Sequence, residues 1–225
     1  MSLIQEKFSY EKLKRVEVNG KRRYQTPGGP PVASVTTILG ETKDKTHLIA
    51  WKKRVGEQKA QEIVTEASGV GTRMHKYLED YIDTGEWPSA GSNPYAQQAH
   101  MMATTIKVHA MDDVDEIWGS EVPLYVPQMY AGTTDLVGVY KGNPCIMDFK
   151  QTNKPKKLEW VEDYFLQLVA YAEAHNKIYD TKINSGRVFI CTQNNQFQTF
   201  EIDNYDHWVG QWYGKLEEYY KKILD

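Results

Sequence analysis

Three short β-rich runs crowd the stretch from Ile117 to Lys150 with helical periodicity on both sides, and that order leaves few folds open. VPLYV, TTDLVGVY and PCIMDFK are separated by Gly, Pro and Asn turns, as strands of one sheet are. Upstream, Ser34 is placed to cap a short helix through Gly40, and Thr46 to cap a second that carries Leu48, Trp51 and Val55. A third helix reads from about Gly71 to Asp83, with Met74, Leu78, Tyr81 and Ile82 on one face, and a fourth from Pro94 to about Met111. Downstream come a helix over residues 158 to 178 and a hairpin of RVFICTQ and FQTFEI around Asn194-Asn195. A last helix, residues 205 to 223, carries Trp208, Trp212, Leu216, Tyr219 and Ile223 as a stripe. The expected fold class is α/β: a mixed central β-sheet flanked by helices.

A chain of 225 residues fits one domain with a modest extension. RVEVNGKRRYQT, residues 15 to 26, reads as a β-hairpin around Asn19-Gly20, and PGGPP at 27 to 31 breaks regular structure after it. Residues 1 to 31 are thus expected as an N-terminal extension and 32 to 225 as a single domain, a helical cover at about 34 to 112 followed by a sheet at about 117 to 202. No window approaches the roughly 18 apolar residues of a membrane span. MSLIQEKFSYEKLK has no signal-peptide pattern, so the expected setting is the cytoplasm of a bacterial or phage-infected cell. Cys145 and Cys191 both sit in strand-like runs and are expected as buried free thiols. Two cysteines cannot by themselves hold a structural zinc or an iron–sulfur cluster.

A net charge of -3 gives no global sign of nucleic acid, but positive charge clusters locally. The clusters are Lys12 to Arg23, then Lys52, Lys53 and Arg54, then Lys150, Lys154, Lys156 and Lys157. The last begins within a more pointed constellation. Alternation along PCIMDFK puts Asp148 and Lys150 on one face and Phe149 on the other. The preceding strand carries Asp135, and the KGN turn at 141 to 143 folds the two strands together. Two carboxylates on adjacent strands can converge on one hard cation, with an ammonium close by. A surface ion pair of Asp148 with Lys150 satisfies the same short pattern. Gly132, three residues before Asp135, is read as a tight turn bringing that strand in. Glu121, before VPLYV, is either a further cleft acid or an exposed loop residue. Gln167 and Tyr171 stand four apart in the apolar run FLQLVAYA, so the amide needs a polar partner, in a site or in the core. His75 and Glu79 share a helix face, and His75 follows Gly71-Thr72, read as a helix entry able to approach phosphate.

Taken together, GTRMHKYLE, a glutamate before the strands, GTTD, DFK and QLVAY resemble the five motifs of RecB-like nucleases in the PD-(D/E)XK superfamily, in the same order. DFKQTNKPK, DYFLQLVAYAEAHN, SVTTIL and WYGKLEEYYKK are similar more closely to the mitochondrial genome maintenance exonucleases within it. The resemblance implies a restriction-endonuclease-like core and a metal-dependent DNA exonuclease that uses Mg²⁺, with Mn²⁺ as substitute, and no iron–sulfur cluster. It implies single-stranded DNA as partner and no membrane. His75, Asp135, Asp148 and the Phe149 carbonyl would bind the metal, with Lys150 the catalytic lysine. Gln167 and Tyr171 would support the strand and reacting phosphate, and Glu121 would be an accessory acid. Trp51, Lys52, Lys53 and Arg54 would belong to a helical cover, and Arg73, Thr152, Lys154 and Lys156 would contact DNA. Gln151 follows the lysine where these enzymes commonly carry Thr. A structure-selective endonuclease and a non-cleaving DNA-end-binding module are the competing readings. The N-terminal hairpin has no counterpart in this pattern.

Overall fold

This computed structural model describes residues 1–224, Leu224 by its backbone alone, and Asp225 lies outside the described residues. The N-terminal hairpin forms as the sequence requires. Strand β1 (Lys14–Val18) pairs antiparallel with β2 (Lys21–Gln25) across Asn19 and Gly20, both left-handed at φ 53° and 70°. That is the two-residue turn Asn-Gly favours. A third strand, β3 (Val32–Ala33), adds to β2, so PGGPP is a connection within a small sheet. Tyr24 and Val32 from this sheet are buried against Ala131 of the main one.

Ser34 caps α1 (Val35–Thr42), its Oγ accepting from the Thr37 amide. Helix α2 (Thr46–Val55) differs from expectation at its start. Thr46 is its first residue rather than its cap, and Asp44 Oδ1 accepts both its amide and its hydroxyl at 2.8 and 2.6 Å. A carboxylate there satisfies a donor that a threonine in the helix cannot. Helix α3 (Glu57–Thr84) is longer than predicted, beginning at Glu57 rather than near Gly71. Its first half is mostly exposed and polar, so no apolar stripe announced it; strong helix formers such as Glu, Gln, Lys and Ala carry it instead. Helix α4 (Pro94–Ala110) starts at proline and is capped by Asn93, as expected for Pro in a first turn.

The main sheet contains β4 (Val114–Val126), β5 (Tyr130–Tyr140), β6 (Asn143–Thr152), β7 (Ser185–Thr192) and β8 (Phe197–Glu201), in that spatial order. All neighbours are antiparallel except β6 and β7, which are parallel. A parallel pair needs a crossover, and α5 (Glu162–Tyr179) supplies it after a single 3-10 turn at Leu158–Trp160. Helix α6 (Tyr205–Leu224) closes the chain. Alternation splits the strand residues between two cores. Leu136, Met147, Phe149 and Phe189 pack under α3 and α4, whereas Val122, Val137, Ile146 and Val188 pack under α1, α5 and α6. The result is a three-layer sandwich. Trp212, Leu216 and Tyr219 of the final stripe are buried, but Ile223 is 47% exposed, because α6 runs past the end of the core. Both cysteines are free and buried, and burial pushes each thiol up to about 11, which leaves them inert at neutral pH.

Residues before the hairpin are fastened to the same body. Leu3 and Gln5 donate to the carbonyls of Ile82 and Ile117, and Phe8 and Tyr10 pack with Trp118 and Tyr179 around His175. His175 is fully buried and bonded to Tyr10 and Thr181. Burial lowers its pKa from 6.5 to about 4. The unfolded chain therefore takes up this proton first. Its contribution to stability is complete above pH 6.5 and is lost as pH falls toward 4, by about 3 kcal/mol at most. Thermal midpoints should drop over that interval, and His175→Gln should flatten the drop; an unchanged profile would contradict this.

Candidate active site

The sheet opens at one place. Paired residues along β5 and β6 run from Tyr140↔Asn143 to Leu136↔Met147 and stop there. Asp135 Oδ2 then accepts the Phe149 amide at 2.7 Å, a side chain standing in for the missing ladder carbonyl. Beyond this point the two strands part. β6 stays rigid because its other edge remains paired to β7, Asp148 opposite Val188 and Lys150 opposite Ile190.

Five side chains collect at the opening. From α3, His75 places Nδ1 3.3 Å from Asp135 Oδ1. Glu121 comes from β4, between the pairs Ser120↔Leu136 and Val122↔Thr134, hence across from Asp135. It does not precede a strand, as the sequence suggested; it lies inside one, at a left-handed φ of 48°. Such a conformation costs a non-glycine residue on the order of 1 kcal/mol, and strain of this kind concentrates at functional sites. One ligand atom each from His75, Glu121 and Asp135 lies within 4.8 Å of the others, an arrangement able to hold a metal ion. Asp148, 2% exposed, stands beside this group with Lys150 Nζ 2.5 Å from its Oδ2. That contact is a charge-assisted pair held out of solvent, with Lys150 the partner of the Asp148 carboxylate. The imidazole–carboxylate set of His75, Glu121 and Asp135 suits a divalent cation.

The electrostatics agree with that fit. Burial, then the neighbouring Asp135 charge, pushes Glu121 up to about 7. Burial and Asp135 also raise Asp148, despite Lys150. Burial works on Asp135 too, but His75, Lys150 and the Phe149 amide outweigh it and hold it below the usual carboxylate range. For His75 and Lys150, burial opposes the charged form and loses to the acids around them, so both are raised. A cluster of acids held together at such cost is one that positive charge would relieve.

A cleft of about 530 Å³ opens onto His75, Glu121 and Asp135, while Asp148 and Lys150 lie behind its wall and do not line it. Its walls include Gly71, Thr72, His75 and Glu79 of α3, Glu121, Gly132 and Asp135 of the sheet, and Gln167 and Tyr171 of α5. Two expectations about glycine are corrected. Gly71 is interior to α3, not a helix entry, so no free helix terminus faces a phosphate there. Gly132 is no turn either: it lies within β5, where a Cβ would come 2.8 Å from the Tyr171 ring and hydroxyl. Phe149 turns its ring to the α3 side, 6.3 Å from that of His75.

The DNA-contact residues expected from the resemblance are more dispersed. Lys154 and Lys156 line a second groove with Gln151, Thr152, Asn153, Trp160 and Tyr164. Tyr164 joins it to the first site, with Lys150 Nζ 5.3 Å from its ring. The Thr152 hydroxyl is committed to the Lys154 carbonyl at 2.9 Å. Arg73 bonds the Gly69 carbonyl and borders another groove, with Gln58, Glu62 and Tyr95. Trp51, Lys52 and Lys53 lie on α2, which buries no residue, and none of them lines the cleft. Sequence reasoning missed Arg15, Arg22 and Tyr24 of the hairpin and Ser34 and Thr36 after it, all in the cleft wall. The strand alternation groups Arg15, Arg22 and Tyr24 on one face, but no local rule says where that face docks.

Fold and cleft together define an α/β protein with a five-stranded mixed sheet between helical layers and an acidic cleft at its parted strands. A crystal structure from Eubacterium rectale with a provisional exonuclease name shares the fold, with TM-score 0.51 at 16% identity over 71% of this chain and 66% of that one. The chain is also similar to curated proteins named mitochondrial genome maintenance exonuclease 1. The Xenopus tropicalis protein is 28% identical over 211 residues, 85% of this chain and 58% of that protein, and the human one 26% identical over 207 residues, 85% and 59%. This chain thus spans under two thirds of the length of those relatives. No protein-family model matches it. The likeness read from the motifs extends over most of the chain. Among the described residues no helix is long and apolar enough to cross a membrane.

Proposed function

We propose that the chain is a metal-dependent deoxyribonuclease of the PD-(D/E)XK type, acting as an exonuclease on single-stranded ends. The observation that carries this reading is the parted β5–β6 ladder, where His75, Glu121 and Asp135 meet beside the buried Asp148–Lys150 ion pair. His75, Asp135, Asp148 and the Phe149 carbonyl would hold Mg²⁺, or Mn²⁺ in its place, with Glu121 completing the set. Such a cation neutralises charge on an attacked phosphodiester and makes a bound water more acidic.

The protein's own groups prepare the site. Asp135 is fixed by the Phe149 amide, so its second oxygen stays aimed at His75. Lys150 keeps its proton between two carboxylates and places a positive charge where phosphate oxygens gain negative charge. Tyr171, buried against Gly132, and Gln167 brace the strand from the α5 side. Preference for DNA and for ends follows the names of the relatives, and the neighbouring lysine groove suits one strand of backbone.

End-labelled linear and covalently closed single-stranded DNA, each incubated with Mg²⁺ and with EDTA, test the proposal. The expected result is Mg²⁺-dependent loss of the linear strand alone. Cleavage of the circle would replace exonuclease by endonuclease, and no cleavage of either would leave a binding module.

A further inference from the structure

The N-terminal hairpin is not accounted for by the reading above, yet it forms part of the cleft wall. Cross-strand pairing sets Arg15 opposite Tyr24 and Glu17 opposite Arg22, so these four share one face of the ribbon, while Lys14, Lys21 and Arg23 share the other. The face bearing the two arginines borders the same cleft as His75, Glu121 and Asp135. Tyr24 anchors it: 3% exposed, it packs on Ala131, and its hydroxyl accepts from Arg15 Nε at 3.2 Å. A further link, the Ser34↔Ala131 bridge, ties the end of this small sheet to β5. The ribbon is thus held, and its arginine heads are exposed. Among the described residues neither Arg15 nor Arg22 is in an ion pair, although Lys21 on the opposite face pairs with Glu41 at 3.4 Å.

Neither guanidinium at the rim of this acidic centre has a carboxylate partner among the described residues, although Arg15 Nε also bonds Tyr24. Their planar forks suit phosphate oxygens, and they lie on the hairpin side of the cleft, apart from the groove of Lys154 and Lys156. We propose that Arg15 and Arg22 form a phosphate-binding subsite for the nucleic-acid strand, gripping backbone next to the bond being cut. The inference rests on the nuclease reading. It makes the substrate strand cross the opening between two basic walls, the hairpin on one side and the residue 153–157 loop on the other.

The test uses the full chain, a fluorescent single-stranded oligonucleotide and Ca²⁺ or EDTA to suppress cleavage. Arg15→Ala/Arg22→Ala should weaken binding at least tenfold, with at most a small drop in thermal midpoint from the lost Arg15–Tyr24 hydrogen bond. Each lost phosphate contact should lower the slope of log affinity against log salt by about 0.7, hence by about 1.4 for both. Lys14→Ala/Lys21→Ala removes the same charge from the other face and should cost less than threefold. Oligonucleotides with single neutral methylphosphonate linkages add a position-specific check. One or two substituted positions should weaken wild-type binding and leave the arginine double variant indifferent. Equal losses in the two double variants, or no change in either, would overturn the subsite while the nuclease reading stands. A wild-type protein that neither binds nor cuts nucleic acid would overturn both.

Discussion

On the proposed nuclease reading, Asp148→Ala is expected to lower DNA cleavage by at least about a thousandfold while the protein stays folded, the size of effect seen when an essential charged group leaves an active site. Two features produce this expectation. Asp148 is almost fully buried beside Asp135, and burial with that neighbouring charge raises its pKa despite Lys150. Removing it leaves the buried Lys150 ammonium with Asp135 as its remaining counter-charge, so the thermal midpoint of the variant is measured alongside its activity. A thermal shift supplies an independent readout. Wild-type protein should melt at higher temperature as Mn²⁺ or Mg²⁺ is added, since a ligand bound only by the native state stabilises it. The variant should lose most of that rise, and Asp148→Asn, which keeps the shape but not the charge, should behave like it. Substantial residual cleavage, or a full metal-dependent rise in either variant, would remove Asp148 from the site.

A second large effect is expected from one methyl group. In Gly132→Ala the new Cβ would meet Tyr171 Cε1 and Oη at 2.8 Å, well inside contact distance. Tyr171 is 2% exposed and lies on a helix buried along most of its length, so its ring could give way only toward the cleft it borders. Overpacking of this kind costs about 1–3 kcal/mol. The strain falls between β5 and α5, three residues from Asp135 and one helical turn from Gln167. Cleavage should therefore fall about tenfold or more, because active-site geometry tolerates displacements of well under an ångström poorly. Reducing the obstruction should recover part of the loss, so Gly132→Ala combined with Tyr171→Phe, which removes the clashing hydroxyl, should be more stable than Gly132→Ala alone. Additive losses in the double variant would mean the two residues do not oppose each other.

The order of elements was legible because it rests on periodicity. Strands β4 to β6 alternate, α5 and α6 carry apolar faces, and Asn19-Gly20 specifies its own turn. Helix α3 was only half visible, since its exposed N-terminal half buries little and leaves no pattern to detect. The same contrast holds in the site. Asp148 and Lys150 could be placed on one face from a period of two, and Asp135 from its position one hairpin earlier. Glu121 was named but misplaced, because nothing local predicts a left-handed glutamate within a strand. The reason for Gly132 was misread because its neighbour Tyr171 is distant in sequence.

What the sequence determined alone is the set of elements and the presence of a carboxylate–lysine strand, both consequences of short-range backbone geometry. The tertiary structure decided where the β5–β6 ladder parts, which acids share a space with His75, and that the N-terminal ribbon closes the cleft with Arg15 and Arg22. Those outcomes depend on packing between segments far apart along the chain, and no local pattern in a single sequence records which surfaces will meet.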